Sequence, residues 1–346
     1  MKASFKKYTL EFKQASGTSR GVLHTKDTYF LTVDDGQRVG IGECGLFKGL
    51  SADDRPDYED KLFWLCSNIH LPLAELLEEL IYFPSIQFGL EQVIKSFNSQ
   101  DPFVLFENDF AIGNASIPIN GLVWMGDKAF MQQQIKDKIA AGFTTIKMKI
   151  GAIDFQTELD LLTNIRKEFS PKDIELRVDA NGAFDSNDAL EKLKRLSDLK
   201  MHSIEQPIKQ GQWDAMANLC EHTPLPIALD EELIDVFDVT KKKELLQTIR
   251  PQFIILKPSL VGGFGGSSEW IDLAEKQRIG WWITSALESN IGLNAISQFT
   301  YELGVNIPQG LGTGSLFTNN IKSPLEVEQG HIRINTNKSW NLKLTT

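Results

Sequence analysis

TTIKMKIG (144–151), ELRVDANG (175–182), HSIEQP (202–207), PIALDE (226–231) and FIILKP (253–258) decide how this chain is read. Each is a short apolar run with a charge at or near its C-terminal end: Lys149, Asp179, Glu205, Asp230 and Lys257. The steps between these charges are 30, 26, 25 and 27 residues. One strand with its return helix takes about that length in a βα repeat. Charges so placed converge at one mouth of a parallel barrel, with three acids in the middle and a lysine on each side. That arrangement points to metal-assisted proton chemistry.

Working outward, IPINGLVW (117–124), GWWITSA (280–286) and VNIPQG (305–310) complete a set of eight candidate strands. Amphipathic stretches lie between them; Leu159, Leu162 and Ile165, for example, fall close to one helical face. The leading fold is a (β/α)8-type barrel over residues 117–315. A doubly wound open sheet is second, since it usually shows fewer strands and a Gly-rich nucleotide turn.

The first 110 residues follow another pattern. KKYTLEF (6–12), TYFLTV (28–33) and RVGIGEC (38–44) alternate around the turn Asp34-Asp35-Gly36 and read as an antiparallel meander. Three helical patterns follow: one after Pro56, one opening at Pro72, and one after Pro84 with Ser85 as the expected N-cap. Strands followed by helices predict an α+β capping domain. VEQGHIRI (327–334) and WNLKLTT (340–346) read as strands, so residues 316–346 are expected to return to that domain.

Composition sets outer bounds. The formal net charge of −10 argues against a nucleic-acid partner. The three cysteines, Cys44, Cys66 and Cys220, include no CxxC pair and read as reduced thiols. The N-terminus lacks an apolar core long enough for a signal peptide, and no uncharged apolar run reaches membrane-span length. The expected location is the cytoplasm, with no membrane partner.

Taken singly, Asp179, Glu205 and Asp230 each read as a helix cap or a barrel salt bridge. Three acids at equivalent strand ends, without His or Cys, suit a hard cation such as Mg²⁺. Lys147 and Lys149 form a K-x-K pair on one face of a strand, pointing into the mouth. A lysine beside a dication and another cation is expected to have a lowered pKa, so its neutral form can act as a base. A proton removed next to a carboxylate leaves an enediolate, whose charge Mg²⁺ can stabilise. The run LVGGFGG (260–266) lacks a P-loop pattern and is expected to pass close to substrate; Trp281 and Trp282 read as packing residues.

The series K-x-K, D-x-N, E, D-E and K-P on successive strands resembles the enolase superfamily, in its muconate-lactonising subgroup. The resemblance spans nearly the whole chain and implies a barrel with a capping domain built from both termini. It implies Asp179, Glu205 and Asp230 as Mg²⁺ ligands, within the superfamily's known pairing of a lysine base with that metal. It further implies Lys149 as the principal base, Lys147 as its electrostatic neighbour, Lys257 across the substrate, and Asn181 and Glu231 as supporting groups.

Within the subgroup the chain is most similar to the o-succinylbenzoate synthases, which dehydrate a cyclohexadiene carboxylate in menaquinone synthesis. The resemblance implies that Lys149 removes the α-proton and then protonates the departing hydroxyl. Lys257 would stabilise the anion, helped by a cation–π contact to the forming ring. Ser285 in SALESNIG (285–292) is the candidate to bind a substrate carboxylate, and Gly312 in QGLGTG (309–314) leaves room for a ring and succinyl chain. Arg20, Phe47 and Leu50, on two loops of the capping unit, are candidates to close the site. Two alternatives stay open: a racemase or epimerase of N-acylamino acids or dipeptides, and a barrel that binds without catalysis. QGLGTG lacks the D-x-D expected of a dipeptide epimerase.

Overall fold

A computed structural model describes residues 1–18, 21–124 and 126–342. Strands β1 (Lys2–Thr18), β2 (Gly21–Asp34) and β3 (Val39–Cys44) form an antiparallel meander. The β2–β3 turn is held by Asp34, whose carboxylate accepts the Gly36 N–H at 2.6 Å, and Gly36 takes φ 88°. Helices α1 (Tyr58–Asn68), α2 (Leu73–Glu79) and α3 (Pro84–Asn98) pack on this sheet. Helix α3 lies so close to β3 that a Cβ on Gly42 would sit 2.2 Å from the Gly89 carbonyl oxygen.

The predicted Ser85 cap is replaced by a different device. Pro84 opens the helix, and Ser85 lies inside its first turn. Asp53, from the preceding loop, accepts the Ser85 N–H at 2.9 Å and its hydroxyl at 2.6 Å. A carboxylate near a helix N-terminus satisfies orphan donors as a local cap would.

The run IPINGLVW is shared between β4 (Ser116–Pro118) and β5 (Gly121–Val123), and the barrel sheet begins with β5. Then come α4 (Lys128–Ala140), β6 (Thr145–Lys149), α5 (Phe155–Glu168), β7 (Glu175–Asp179), α6 (Ala189–Ser197), β8 (Ser203–Glu205), α7 (Trp213–His222), β9 (Ile227–Leu229), α8 (Val239–Ile249) and β10 (Phe253–Leu256). They lead into α9 (Pro258–Val261), α10 (Gly263–Lys276), β11 (Gly280–Ile283) and α11 (Asn290–Glu302). Strands β5 to β11 form one parallel sheet in chain order. In α5 the buried face is Glu158, Leu161, Leu162 and Ile165, while Leu159 is half-buried.

The expected eighth strand, VNIPQG, shrinks to a two-residue closure. Gln309 bridges Ile119 and Gly310 bridges Thr284, and the Gln309 side chain accepts the Ile283 N–H at 2.7 Å, so the ring shuts through this short segment. Pro308 has no N–H to extend the ladder. Inside the ring Trp282 packs on Phe253 and under the Arg177 guanidinium. Trp281 is half-buried and donates to Glu275. Both tryptophans are therefore packing residues.

After the barrel, residues 316–319 run along β1: Lys13 N–H donates to the Leu316 carbonyl at 2.8 Å, and Thr318 N–H to that of Glu11 at 2.8 Å. The hairpin β12 (Leu325–Glu328) and β13 (His331–Ile334) pairs with β4 rather than with the meander. Trp340 stacks on Phe103. The architecture is a (β/α)8-type barrel with an α+β capping layer. Among the described residues no helix is long and apolar enough to cross a membrane. Cys44, Cys66 and Cys220 are free thiols.

Candidate active site

Strand register gathers the acids. Lys149 lies beside Asp179, and Asp179 beside Glu205, in successive parallel pairs. Asp230 follows β9 directly, and Lys257 follows β10. In an eight-stave ring β6 and β10 are four places apart, so Lys149 and Lys257 face each other across the mouth. The three carboxylates are buried and the three lysines nearly so.

Ammonium groups lie between the acids. The Lys147 Nζ is 3.0 Å from Asp179 Oδ2 and 2.6 Å from Glu205 Oε2. Lys149 donates to Asp179 Oδ2 at 2.8 Å and to Asn181 Oδ1 at 2.7 Å. Lys257 donates to Asp230 and stands 3.9 Å from Glu205 Oε1. Three lysines thus balance three acids, and among the described residues no three His, Cys, Asp or Glu side chains are gathered as a ready metal cage.

The donor set still suits a hard dication. Glu205 Oε1 is buried and accepts no hydrogen bond, which is costly for a carboxylate oxygen. Three carboxylates on neighbouring strand ends supply the oxygen ligands that Mg²⁺ favours. Asp179, Glu205 and Asp230 are therefore the residues that could hold it.

Electrostatics follow from burial and these pairs. Burial raises the Glu205 carboxyl, neighbouring Asp179 adds to it, and the pKa reaches about 8 against the pull of Lys147. Burial also opposes charge on Asp179, but Lys147 and Lys149 outweigh it and hold that carboxyl well below the usual range. For Lys147 and Lys257 burial disfavours the ammonium, yet the adjacent carboxylates prevail and raise both above the ordinary lysine value.

Above this cluster lies a cavity. Its floor includes Lys147, Lys149, Lys257 and Asn181; Ser285, Leu287, Gly312 and Thr313 line one wall; Leu23, Phe47 and Leu50 of the capping layer, with Trp124, form the roof. No carboxylate is among the described residues lining it. Asn181 also donates to Glu231 at 3.0 Å, so the two expected supporting residues form one bridge to Lys149. Asn181 (φ 46°) and Leu287 (φ 64°) both hold left-handed backbone at the mouth, strain that side chains adopt only when their surroundings impose it.

Arg20 lies outside the described residues, and one expectation changes. The run LVGGFGG does not line the cavity; its Phe264 and Gly265 N–H groups instead meet the Glu91 carboxylate of α3. Gly263 (φ 73°) allows that approach, since a Cβ there would sit 2.1 Å from Glu91 Oε2. Sequence reasoning missed Leu23, Trp124 and Thr313, which carry no motif. It also passed over Glu288, although Ser285 and Glu288 stand in the S-x-x-E spacing that often marks a reciprocal hydrogen-bond pair.

Residues 131–338 match the family described as enolase C-terminal domain-like. An o-succinylbenzoate synthase from Desulfotalea psychrophila is 44% identical, over 95% of this chain and 98% of its own. The crystal structure of MenC from that organism matches with a TM-score of 0.86 at 42% identity, covering 96% of this chain and 99% of that one. An L-Ala-D/L-Glu epimerase from Francisella tularensis subsp. novicida is 31% identical over 53% of this chain and 50% of its own.

Proposed function

The chain belongs to the enolase superfamily, and on that premise we propose that it is an Mg²⁺-dependent o-succinylbenzoate synthase, a lyase acting in the cytoplasm in menaquinone biosynthesis. The observation that carries the reading is the make-up of one cavity: two lysines enter from opposite staves, over an acid cluster and under an apolar roof. The relative with that name aligns along nearly its full length.

Asp179, Glu205 and Asp230 would hold Mg²⁺, which when bound would neutralise the acids and draw charge from the substrate's reacting carboxylate. The neutral Lys149 amine then takes the α-proton from carbon, and the electron pair moves toward that carboxylate. The proton now on Lys149 passes to the departing hydroxyl; the carbon–oxygen bond breaks, water leaves and the amine is regenerated. Lys257, on the far side, remains an ammonium and stabilises the anion. Asn181 fixes the Lys149 amine from one side. Leu23, Phe47, Leu50 and Trp124 exclude water and cover the ring.

A second reading keeps the same lysines and makes them the two bases of an epimerase. Two opposed amines suit it, and the Francisella epimerase shares 31% identity over part of the chain. Against it, a dipeptide amine would find no carboxylate among the described lining residues. The deciding experiment is to assay the purified protein with the cyclohexadiene precursor, with and without EDTA. Metal-dependent appearance of o-succinylbenzoate supports the lyase; solvent deuterium exchange at a dipeptide α-carbon without dehydration would replace it with the epimerase.

A further inference from the structure

A second buried carboxylate cluster lies behind the cavity wall, where the capping layer meets the barrel. Glu288 is fully buried and accepts one hydroxyl from each side: Ser259, two residues after Lys257, and Ser285, at 2.5 Å. Its space is built for it. A Cβ on Gly292 would sit 2.8 Å from Glu288 Cβ, and one on Gly45 of the capping layer 3.0 Å from its Cγ.

This arrangement fixes the polarity of Ser285. The Ser285 oxygen accepts the Thr313 hydroxyl at 2.8 Å and the Leu287 N–H at 3.1 Å, and its one proton goes to Glu288. A hydroxyl has one proton and two lone pairs, so Ser285 is saturated. With both hydroxyl protons running from Thr313 through Ser285 to Glu288, these two hydroxyls have no proton to give a ligand carboxylate.

The groups facing Glu288 show where a proton can be taken up. Lys26 of β2 and Glu43 of β3 are its charged neighbours; Gly292 of α11 and Gly45 pack against it, and Ser259 and Ser285 donate to it. Glu43 accepts four donors: the Thr28 and Ser289 hydroxyls and the N–H groups of Ser289 and Gly292. Glu288 has hydroxyls only and lies beside that second negative charge. The Lys26 Nζ is buried without a hydrogen-bond partner. Burial raises the Glu288 carboxyl, against Lys26 and the two serines, and lowers Lys26 against Glu43 and Glu288.

We propose that Glu288 is a positioning residue that takes a proton from solvent when the succinyl carboxylate of the ligand reaches Ser285, turning the Ser285 and Thr313 hydroxyl protons from the wall toward the ligand. The new carboxyl O–H donates to Ser285, whose own proton, with that of Thr313, is released toward the ligand. This rests on the o-succinylbenzoate reading, because it needs a carboxylate at that wall.

The test is calorimetric titration of the Mg²⁺-loaded protein with o-succinylbenzoate, in buffers of different ionisation heat and across pH. Wild type is expected to take up roughly one proton per site and to bind more weakly as pH rises. Glu288→Gln, whose amide can donate to Ser285 permanently, is expected to bind without that uptake and to lose the pH dependence. Ser285→Ala, which leaves Glu288 intact, is expected to lose the uptake as well and to bind about tenfold more weakly. Proton uptake unchanged in both variants, or wild-type binding with none, overturns the inference while leaving the proposed function standing. A folded wild type that does not bind o-succinylbenzoate rejects that function and this inference with it.

Discussion

Two buried charge clusters use opposite means to keep carboxylates inside a protein. At the barrel mouth Asp179, Glu205 and Asp230 are paired with ammonium groups, charge against charge. Under the capping layer Glu43 and Glu288 are met by hydroxyls and backbone N–H groups, while Lys26 makes no hydrogen bond. Ion pairs can exchange one cation for another, so the first cluster suits an entering metal and mobile protons. The groups around the second cluster keep their places while their hydroxyls can turn, so it holds geometry and sets which way a hydroxyl points. On the proposed function, the contrast separates the groups that do chemistry from those that aim them.

The most severe way to break the comparison is to remove a charge from the first cluster. Lys149→Ala should lower kcat by about 10³-fold or more while the far-ultraviolet circular dichroism and melting curve stay those of a folded protein. Retained turnover in steady-state assays would reject Lys149 as the base.

A carboxylate held by dipoles outside both clusters sharpens it next. Burial lifts Asp53 to about 6 from 3.8, against the Ser85 hydrogen bonds, so folding favours its protonated form. Stability from this group is full below pH 4 and lost as pH rises through 6, by up to about 3 kcal/mol. Asp53→Asn should flatten that slope in denaturant melts between pH 4 and 7; an unchanged slope would assign it to other groups.

Two glycines give the smaller effects. Gly292→Ala would force Glu288 and Glu43 apart, since its Cβ would lie 2.8 Å from Glu288 Cβ and 3.0 Å from Glu43 Oε2. A loss of about 1–3 kcal/mol is expected in urea unfolding. Gly312→Ala meets nothing nearer than 3.5 Å, so stability should change by less than about 0.5 kcal/mol. Its methyl instead narrows the cavity, and a raised KM with kcat nearly kept is the expected result. Equal destabilisation of both variants would show that the packing around Glu288 is not special.

The first cluster was legible in the sequence and the second was not, for a physical reason. Each mouth residue ends its own apolar run, so strand period and repeat spacing carry Lys149, Asp179, Glu205, Asp230 and Lys257 to one place. Glu43 and Ser289 are 246 residues apart and meet only through docking of the capping layer on the barrel. No local pattern encodes that contact. Similar limits apply to the fold. Periodicity suggested a full strand at VNIPQG, but Pro308 leaves a two-residue closure, and IPINGLVW divides between two sheets because Pro118 and Gly121 break the run. Ser85 looked like a cap because a hydroxyl near a helix start usually is one; the distant Asp53 took that role.

The most direct measurement is Mg²⁺ titration of wild type and Glu205→Gln by calorimetry at neutral pH. One ion per chain in wild type, and affinity weakened about 100-fold or more in the variant, is the expected result. A folded wild type that binds no Mg²⁺, or a variant that binds it equally well, would contradict the assignment of Asp179, Glu205 and Asp230 as one cation site.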